Sequence, residues 1–88
     1  MKPITMFMMK TCPYCQRAFG WMDELKKENP EYAKLDIKMI DEREEPELCA
    51  GYDYYYVPTY YVGEEKVHEG AASREAVQRV FDRACERA

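Results

Sequence analysis

Apolar positions along the chain follow two rhythms. Ile4-Thr5-Met6-Phe7-Met8-Met9 is a nearly unbroken apolar run of six residues. In a strand, Ile4, Met6 and Met8 share one face and Thr5, Phe7 and Met9 the other, so the run predicts a central strand covered on both sides. Six residues followed by a helix start argue against a buried helix. After a turn at Lys10-Thr11 the period changes. Ala18, Trp21, Met22 and Leu25 stand at i, i+3, i+4 and i+7, the stripe of a helix packed on a sheet. Cys12 takes the N-cap position, and Pro13 suits the first helical position because its missing N–H costs nothing there. Asn29-Pro30 stops the helix.

From Tyr32 to Ile40 the period is two, with Leu35, Ile37 and Met39 alternating against Lys34, Asp36 and Lys38, which predicts an edge or half-exposed strand. The charged stretch Asp41–Glu45 reads as a solvated loop and helix start. Pro46–Ala50 predicts a short helix ended by Gly51. Tyr60–Val62 has strand propensity. Gly63-Glu64-Glu65 reads as a turn and Lys66–Glu69 as the returning strand of a hairpin. Gly70-Ala71-Ala72 leads to a last helix, with Ser73 as N-cap and Val77, Val80, Phe81 and Ala84 as its apolar stripe. The order is β, α, β, α, β, β, α. A right-handed parallel βαβ unit followed by an antiparallel hairpin predicts an α/β fold: a four-stranded mixed sheet flanked by three helices, on both faces.

Composition narrows the partners. The chain has 88 residues and is expected to form one domain, residues 1–88. Its hydrophobic share of 47% suffices for a core. The net charge of −4 disfavours nucleic acid and anionic membranes, which demand a basic face. The N-terminal apolar run is shorter than a signal-peptide core or a membrane span, so a cytoplasmic location is expected. There, cysteines point to redox or metal chemistry rather than a disulfide scaffold. Nothing in the sequence demands an oligomer, and a monomer is expected.

The chemistry is concentrated at Cys12-Pro13-Tyr14-Cys15. A Cys-x-x-Cys at a helix start offers the first sulfur the unpaired N–H groups of Tyr14 and Cys15 and the positive end of the helix dipole. Such placement lowers a thiol pKa from about 8.5 into a range of roughly 3.5–7.5. Lys10, two residues upstream, adds favourable charge. Cys12 is therefore the candidate nucleophile. Cys15, one turn in and less exposed, resolves a mixed disulfide formed at Cys12, and the outcome is thiol–disulfide exchange. Pro58 is the second piece. A cis Val57-Pro58 bond beside Cys12 would present the N–H and C=O of Val57 to an extended substrate; the plain alternative is a strand start.

Lys10-Thr11-Cys12-Pro13-Tyr14-Cys15, Tyr56-Val57-Pro58-Thr59 and Gly70 before a final helix together resemble a glutaredoxin of the thioredoxin-like superfamily. The resemblance covers nearly the whole chain in order and length. It implies a thioredoxin fold, a cis proline at Pro58, Cys12 as attacking and Cys15 as resolving thiol. It further implies glutathione as co-substrate, bound through Lys10, Tyr14 and the Val57 backbone, with no resident cofactor. Substrates would be disulfide-containing or glutathionylated proteins. Two positions depart from the pattern. Similar glutaredoxins follow the glycine with cysteine or serine and then acidic residues that hold the glutathione amino end, whereas this chain reads Ala71, Ala72 and Ser73. Ser73 remains as a hydrogen-bonding contact. Tyr56 replaces the threonine common before Val-Pro and joins the candidate contacts. These departures open a second expectation, a thioredoxin-like electron donor reduced by a thioredoxin reductase-like flavoprotein. A third is an iron–sulfur carrier ligated by Cys12 and glutathione across a dimer.

Other residues have plainer readings. Zinc needs a second ligand pair, and Cys49 and Cys85 are separated in sequence, so no metal site is expected and both read as small buried hydrophobes. Cys49 as a secondary redox thiol is the alternative. His68 reads as a surface or edge residue. Six tyrosines between 52 and 61 exceed what one small core needs, and Tyr54 or Tyr56 is expected to be exposed near Cys12. Arg74, Arg79, Arg83 and Arg87 read as a solvated helix face.

Overall fold

A computed structural model describes residues 1–86 of the chain. The elements in order are β1 (Ile4–Met8), α1 (Pro13–Glu28), α2 (Pro30–Ala33), β2 (Ile37–Asp41), α3 (Pro46–Cys49), β3 (Thr59–Val62), β4 (Glu65–Glu69) and α4 (Arg74–Cys85). One sheet has the order β2-β1-β3-β4. β1 pairs parallel to β2 and antiparallel to β3, and β3 pairs antiparallel to β4. The mixed sheet and the βαβ-then-hairpin order are as the sequence predicts. Among the described residues the expected three helices become four, because Pro30 does more than end α1. Asn29 accepts a hydrogen bond from the Glu31 N–H and caps a further turn.

That turn shortens the second strand. Tyr32 lies in α2 rather than in β2, with its ring against Phe81 and its hydroxyl bonded to Asp82. β2 starts only at Ile37, and Met39, expected to face inward, is 41% exposed. β2 is an edge strand. Met39 shares a shallow cleft with Phe19, Met22 and Lys26, so α1 covers its flank and leaves its outer side open.

The two sheet faces are covered differently. Ile4, Met6, Met8, Tyr60 and Val62 pack against Ala18, Met22 and Leu25 of α1 and Val77, Val80, Phe81 and Ala84 of α4. A fully buried Phe81 contributes about 1.5–3 kcal/mol by its removal from water. On the opposite face Phe7, Ile40 and Tyr61 form a small second cluster. Its lid is aromatic: Tyr54 stacks on Phe7 at 4.8 Å between centroids, and Tyr52 meets Phe7 at 4.7 Å and Tyr61 at 5.1 Å. Two of the six tyrosines, Tyr52 and Tyr54, thus do the covering that a longer helix would otherwise do. No helix among the described residues is long and apolar enough to cross a membrane.

Candidate active site

Cys12 is the N-cap of α1 and Pro13 its first residue, so the chain enters the helix with the Cys12 thiol half-exposed at its mouth. The Cys12 carbonyl accepts from the Gln16 N–H at 2.9 Å, and its own N–H donates to the Met9 carbonyl at 3.1 Å. Its side chain caps no helical N–H in the usual way. A thiol donates weakly, but a thiolate accepts strongly. The Cys15 N–H above all, then the Tyr14 N–H and the Cys15 thiol, point at the Cys12 sulfur and lower its pKa, against desolvation and the charge of Glu42, which raise it. Cys15 is buried behind it. Desolvation pushes the Cys15 thiol up to about 11, opposed by the Met9 N–H, which reaches its Sγ at 3.5 Å. The charge on Cys12 raises Cys15 further. The two sulfurs are thus driven apart: Cys12 is the more readily ionised, and Cys15 is the one that holds its proton.

Lys10 does not act as expected. Its ammonium donates to both carboxylate oxygens of Glu44 at 3.0 Å, out on the surface, and the larger influences on the Cys12 pKa come from other groups. Its main-chain N–H is what matters locally: it donates to Asp41 Oδ2 at 3.0 Å. Asp41, read from sequence as solvated charge, is buried at the end of β2, where its Oδ1 also accepts from the Arg43 N–H at 2.9 Å. Those N–H groups hold the Asp41 carboxyl below the usual carboxylate range. Asp41 therefore pins the Lys10-Thr11 turn that delivers Cys12. A lone Asp closing an otherwise amphipathic strand gives little sequence signal of this.

A groove of about 490 Å³ opens at the mouth of α1, lined by Tyr14, two residues after Cys12, and by Glu42, whose charge reaches Cys12. Met9 and Tyr14, on either side of Cys12 in the chain, wall one side; Tyr55, Tyr56 and Val57 wall the other; Gly70, Ala71 and Glu42 complete it. The Val57-Pro58 bond is cis. The loop carrying it is held by several bonds. Glu69 Oε2 accepts from the N–H groups of Tyr55 at 2.6 Å and Tyr56 at 3.1 Å, and Glu69 Oε1 accepts from Lys66 at 2.8 Å. Lys66 and these amides bring the Glu69 carboxyl down to about 2. The Gly70 N–H donates to the Pro58 carbonyl at 2.9 Å, and the Thr59 hydroxyl donates to the Tyr56 carbonyl. Amid this tethering, the N–H and C=O of Val57 have no hydrogen-bond partner among the described residues. A half-buried main chain with both groups unpaired is an opening for one more strand.

The remaining candidates are placed as follows. Tyr14 and Tyr56 are 51% and 69% exposed on the groove. Tyr54 is not exposed there: its ring stacks on Phe7 and its hydroxyl donates to Glu42 at 2.9 Å, because it belongs to the aromatic lid. Tyr55, which the sequence reading did not single out, is the most open at 86%. Ser73 caps α4, its hydroxyl accepting from the Ala76 N–H at 3.1 Å, and does not wall the groove. His68 sits half-buried on the edge strand β4, its Nε2 within 3.0 Å of the Gly70 carbonyl. Cys49 and Cys85 are half-buried rather than core residues, since both sit at the ends of short or terminal helices. The arginines of α4 are partly paired. Arg74 reaches Glu28 and Glu24 of α1, and Arg83 reaches Glu65 at 2.8 Å. Arg79 is exposed, and Arg87 lies outside the described residues. Among the described residues no three His, Cys, Asp or Glu side chains converge as metal ligands.

The sequence profile of the glutaredoxin family matches residues 4–68. A curated relative named a probable thioredoxin, from Methanothermobacter thermautotrophicus, is 36% identical over 72 residues, covering 82% of each chain. A second probable thioredoxin, from Methanothermobacter marburgensis, is 35% identical over the same share. Among solved structures, the oxidised thioredoxin of Plasmodium falciparum superposes with a TM-score of 0.70 at 21% identity, covering 94% of this chain and 80% of that one. A structure described as a malarial protein gives 0.68 at 15% identity, covering 94% and 96%. The fold is the thioredoxin fold, and the chain belongs to the glutaredoxin family.

Proposed function

We propose that this protein is a thiol–disulfide oxidoreductase that reduces disulfides in other proteins through Cys12 and Cys15. The observation that carries the reading is the division between the two sulfurs: a half-exposed Cys12 fed by N–H donors, and a buried Cys15 that stays protonated. The Cys12 thiolate attacks one sulfur of a substrate disulfide. A Cys12–substrate S–S bond forms, and the other substrate sulfur leaves as a thiolate. Cys12 then carries no charge, so one of the causes that raise Cys15 is gone. Cys15 gives its proton to the departing thiolate and attacks Cys12. The second substrate sulfur leaves as a thiolate that takes a proton from water, the substrate is released as a dithiol, and the protein is left with a Cys12–Cys15 disulfide. Two electrons and two protons from a cellular thiol or a flavoprotein restore it.

Two reductants are compatible with this cycle. Glutathione is the one the family pattern implies, with Tyr14, Tyr56 and the Val57 main chain as its contacts. A thioredoxin reductase-like flavoprotein is favoured by the state of Lys10, whose charge is already matched by Glu44, and by alanines at 71 and 72 where an acidic contact for the glutathione amine would stand. We place the protein in a reducing cytoplasm, acting as a monomer. Insulin-disulfide reduction with glutathione and glutathione reductase, and separately with thioredoxin reductase, tests the pair. Cys12→Ser is expected to abolish turnover with either. Cys15→Ser is expected to keep removal of glutathione from a glutathionylated protein and to lose dithiol reduction; equal loss in both variants overturns the assigned roles.

A further inference from the structure

We infer that the groove beside Cys12 selects an extended polypeptide segment that carries an aromatic side chain and a lysine or arginine close to its reactive cysteine, in preference to glutathione. The inference rests on the exchange reading above and specifies its substrate. Three features of the groove point the same way.

The first is backbone. Val57 offers one N–H and one C=O with no partner among the described residues, and Glu69 fixes the loop that presents them. That pair suits a strand-like main chain, whose alternate side chains then face the groove. The second is the wall. Tyr14, Tyr55 and Tyr56 keep between half and most of their surface in solvent. Two other tyrosines of the loop, Tyr54 stacked and Tyr52 tilted, already cover Phe7, so the open ones are not needed for the core. Exposed aromatic area at the lip of a cleft gains most from an aromatic or aliphatic partner.

The third is charge. Among the described residues Glu42 is the only charged side chain lining the groove, and its charge also reaches Cys12, where it opposes the amides that favour the anion. Lys10, two residues before Cys12 in the chain, is already paired with Glu44. A cationic substrate side chain beside Glu42 compensates both the carboxylate and the Cys12 thiolate. Glutathione has two carboxylates and one ammonium, so it brings net negative charge to a negative wall and offers no aromatic group to the tyrosines.

The test uses the Cys15→Ser protein, so that only the first exchange is followed. Substrates are short peptides with one cysteine activated as its 2-thiopyridyl disulfide, flanked by Lys-Tyr, Lys-Ser, Glu-Tyr or Glu-Ser, together with 2-thiopyridyl glutathione. The Cys12 thiolate attacks the peptide sulfur, the Cys12–peptide disulfide forms, and pyridine-2-thione is released and read by absorbance. The Lys-Tyr peptide is expected to react fastest, about three- to tenfold faster than Glu-Tyr at low salt, as suits a partly exposed charge pair. Moderate salt should shrink that ratio. Glu42→Gln keeps an acceptor for the Tyr54 hydroxyl and should bring the Lys/Glu ratio close to one. Because the ratio is taken within one protein, any change in Cys12 reactivity cancels. Tyr55→Ala should erase the Tyr/Ser preference and leave the Lys/Glu ratio. Equal rates for all peptides, or a faster reaction with the glutathione derivative, overturn this inference while sparing the exchange reading. Failure of Cys12 to outpace free cysteine with every substrate overturns both.

Discussion

At the residue scale the protein turns on the unequal treatment of two sulfurs only three positions apart. Thiolate is the reactive form, so alkylation rises as pH climbs through each pKa. Cys12 lies below the ordinary thiol value because the Cys15 and Tyr14 amides favour its anion, and Cys15 lies near 11 because burial disfavours its anion. Iodoacetamide labelling of the reduced protein, followed site by site with mass spectrometry, is expected to reach half its limiting rate at Cys12 below pH of about 8.5. Cys15 should remain unlabelled throughout that range. In urea both sites should converge on the ordinary midpoint, since an unfolded chain has neither the helix mouth nor the burial. A Cys12 midpoint at or above the unfolded one contradicts the amide account. The same sign governs stability. A depressed thiol pKa stabilises the fold above the unfolded value, and that contribution fades as pH falls through the folded Cys12 pKa. The placement of Cys12 at a helix mouth, with Cys15 less exposed one turn in, was legible in the sequence, because a proline after a cysteine fixes a helix start. The neighbours that tune the site were not. Lys10 has Glu44 within reach, Asp41 turns inward to the Lys10 amide, and Glu69 clasps the amides of Tyr55 and Tyr56, all across long separations that no local pattern records.

At the element scale, periodicity found every strand and the two long helices, and its errors fall where a short polar device overrides it. Asn29 reads as a helix stop, yet its side chain also starts α2, and the strand expected from Tyr32 is delayed to Ile37. Ser73 shows the opposite case. The sequence places it at the start of α4 and leaves it as a hydrogen-bonding contact where the family pattern has an acidic residue, but its hydroxyl accepts from the Ala76 amide. The cap and the contact make different forecasts. As a cap, Ser73→Ala should cost about 1 kcal/mol in urea unfolding, within the usual spread for lost N-caps. Ser73→Asp, another good cap, should restore that stability. KM for a glutathionylated substrate should be unchanged in Ser73→Ala once the protein is shown folded. A raised KM with unchanged stability would instead make Ser73 a substrate contact.

At the scale of the whole molecule, one sheet face is closed by α1 and α4 and the other by a tyrosine-rich loop, and the loop also walls the groove that Tyr14 and Glu42 share. One short segment therefore does two jobs: Tyr52 and Tyr54 lie down on Phe7, while Tyr55, Tyr56 and Val57 face the cleft. Glu69 reconciles them, since its carboxylate fixes the point where the chain passes from lid to groove. Amide exchange separates the layers. Central strands β1 and β3, paired on both sides, should open only with global unfolding. The Tyr55 and Tyr56 amides should be slower than unbonded loop amides, and the Val57 amide should exchange as a free one. In Glu69→Ala the Tyr55 and Tyr56 amides should lose protection while β1 and β3 keep theirs, and Glu69→Gln, which retains an acceptor, should recover part of it. The groove then loses its shape without the fold losing its core, so KM for a peptide substrate rises while the labelling rate of Cys12 stays the same. If protection falls equally in the strands and the loop, Glu69 is holding the domain together rather than orienting the loop, and the separation between lid and groove does not exist.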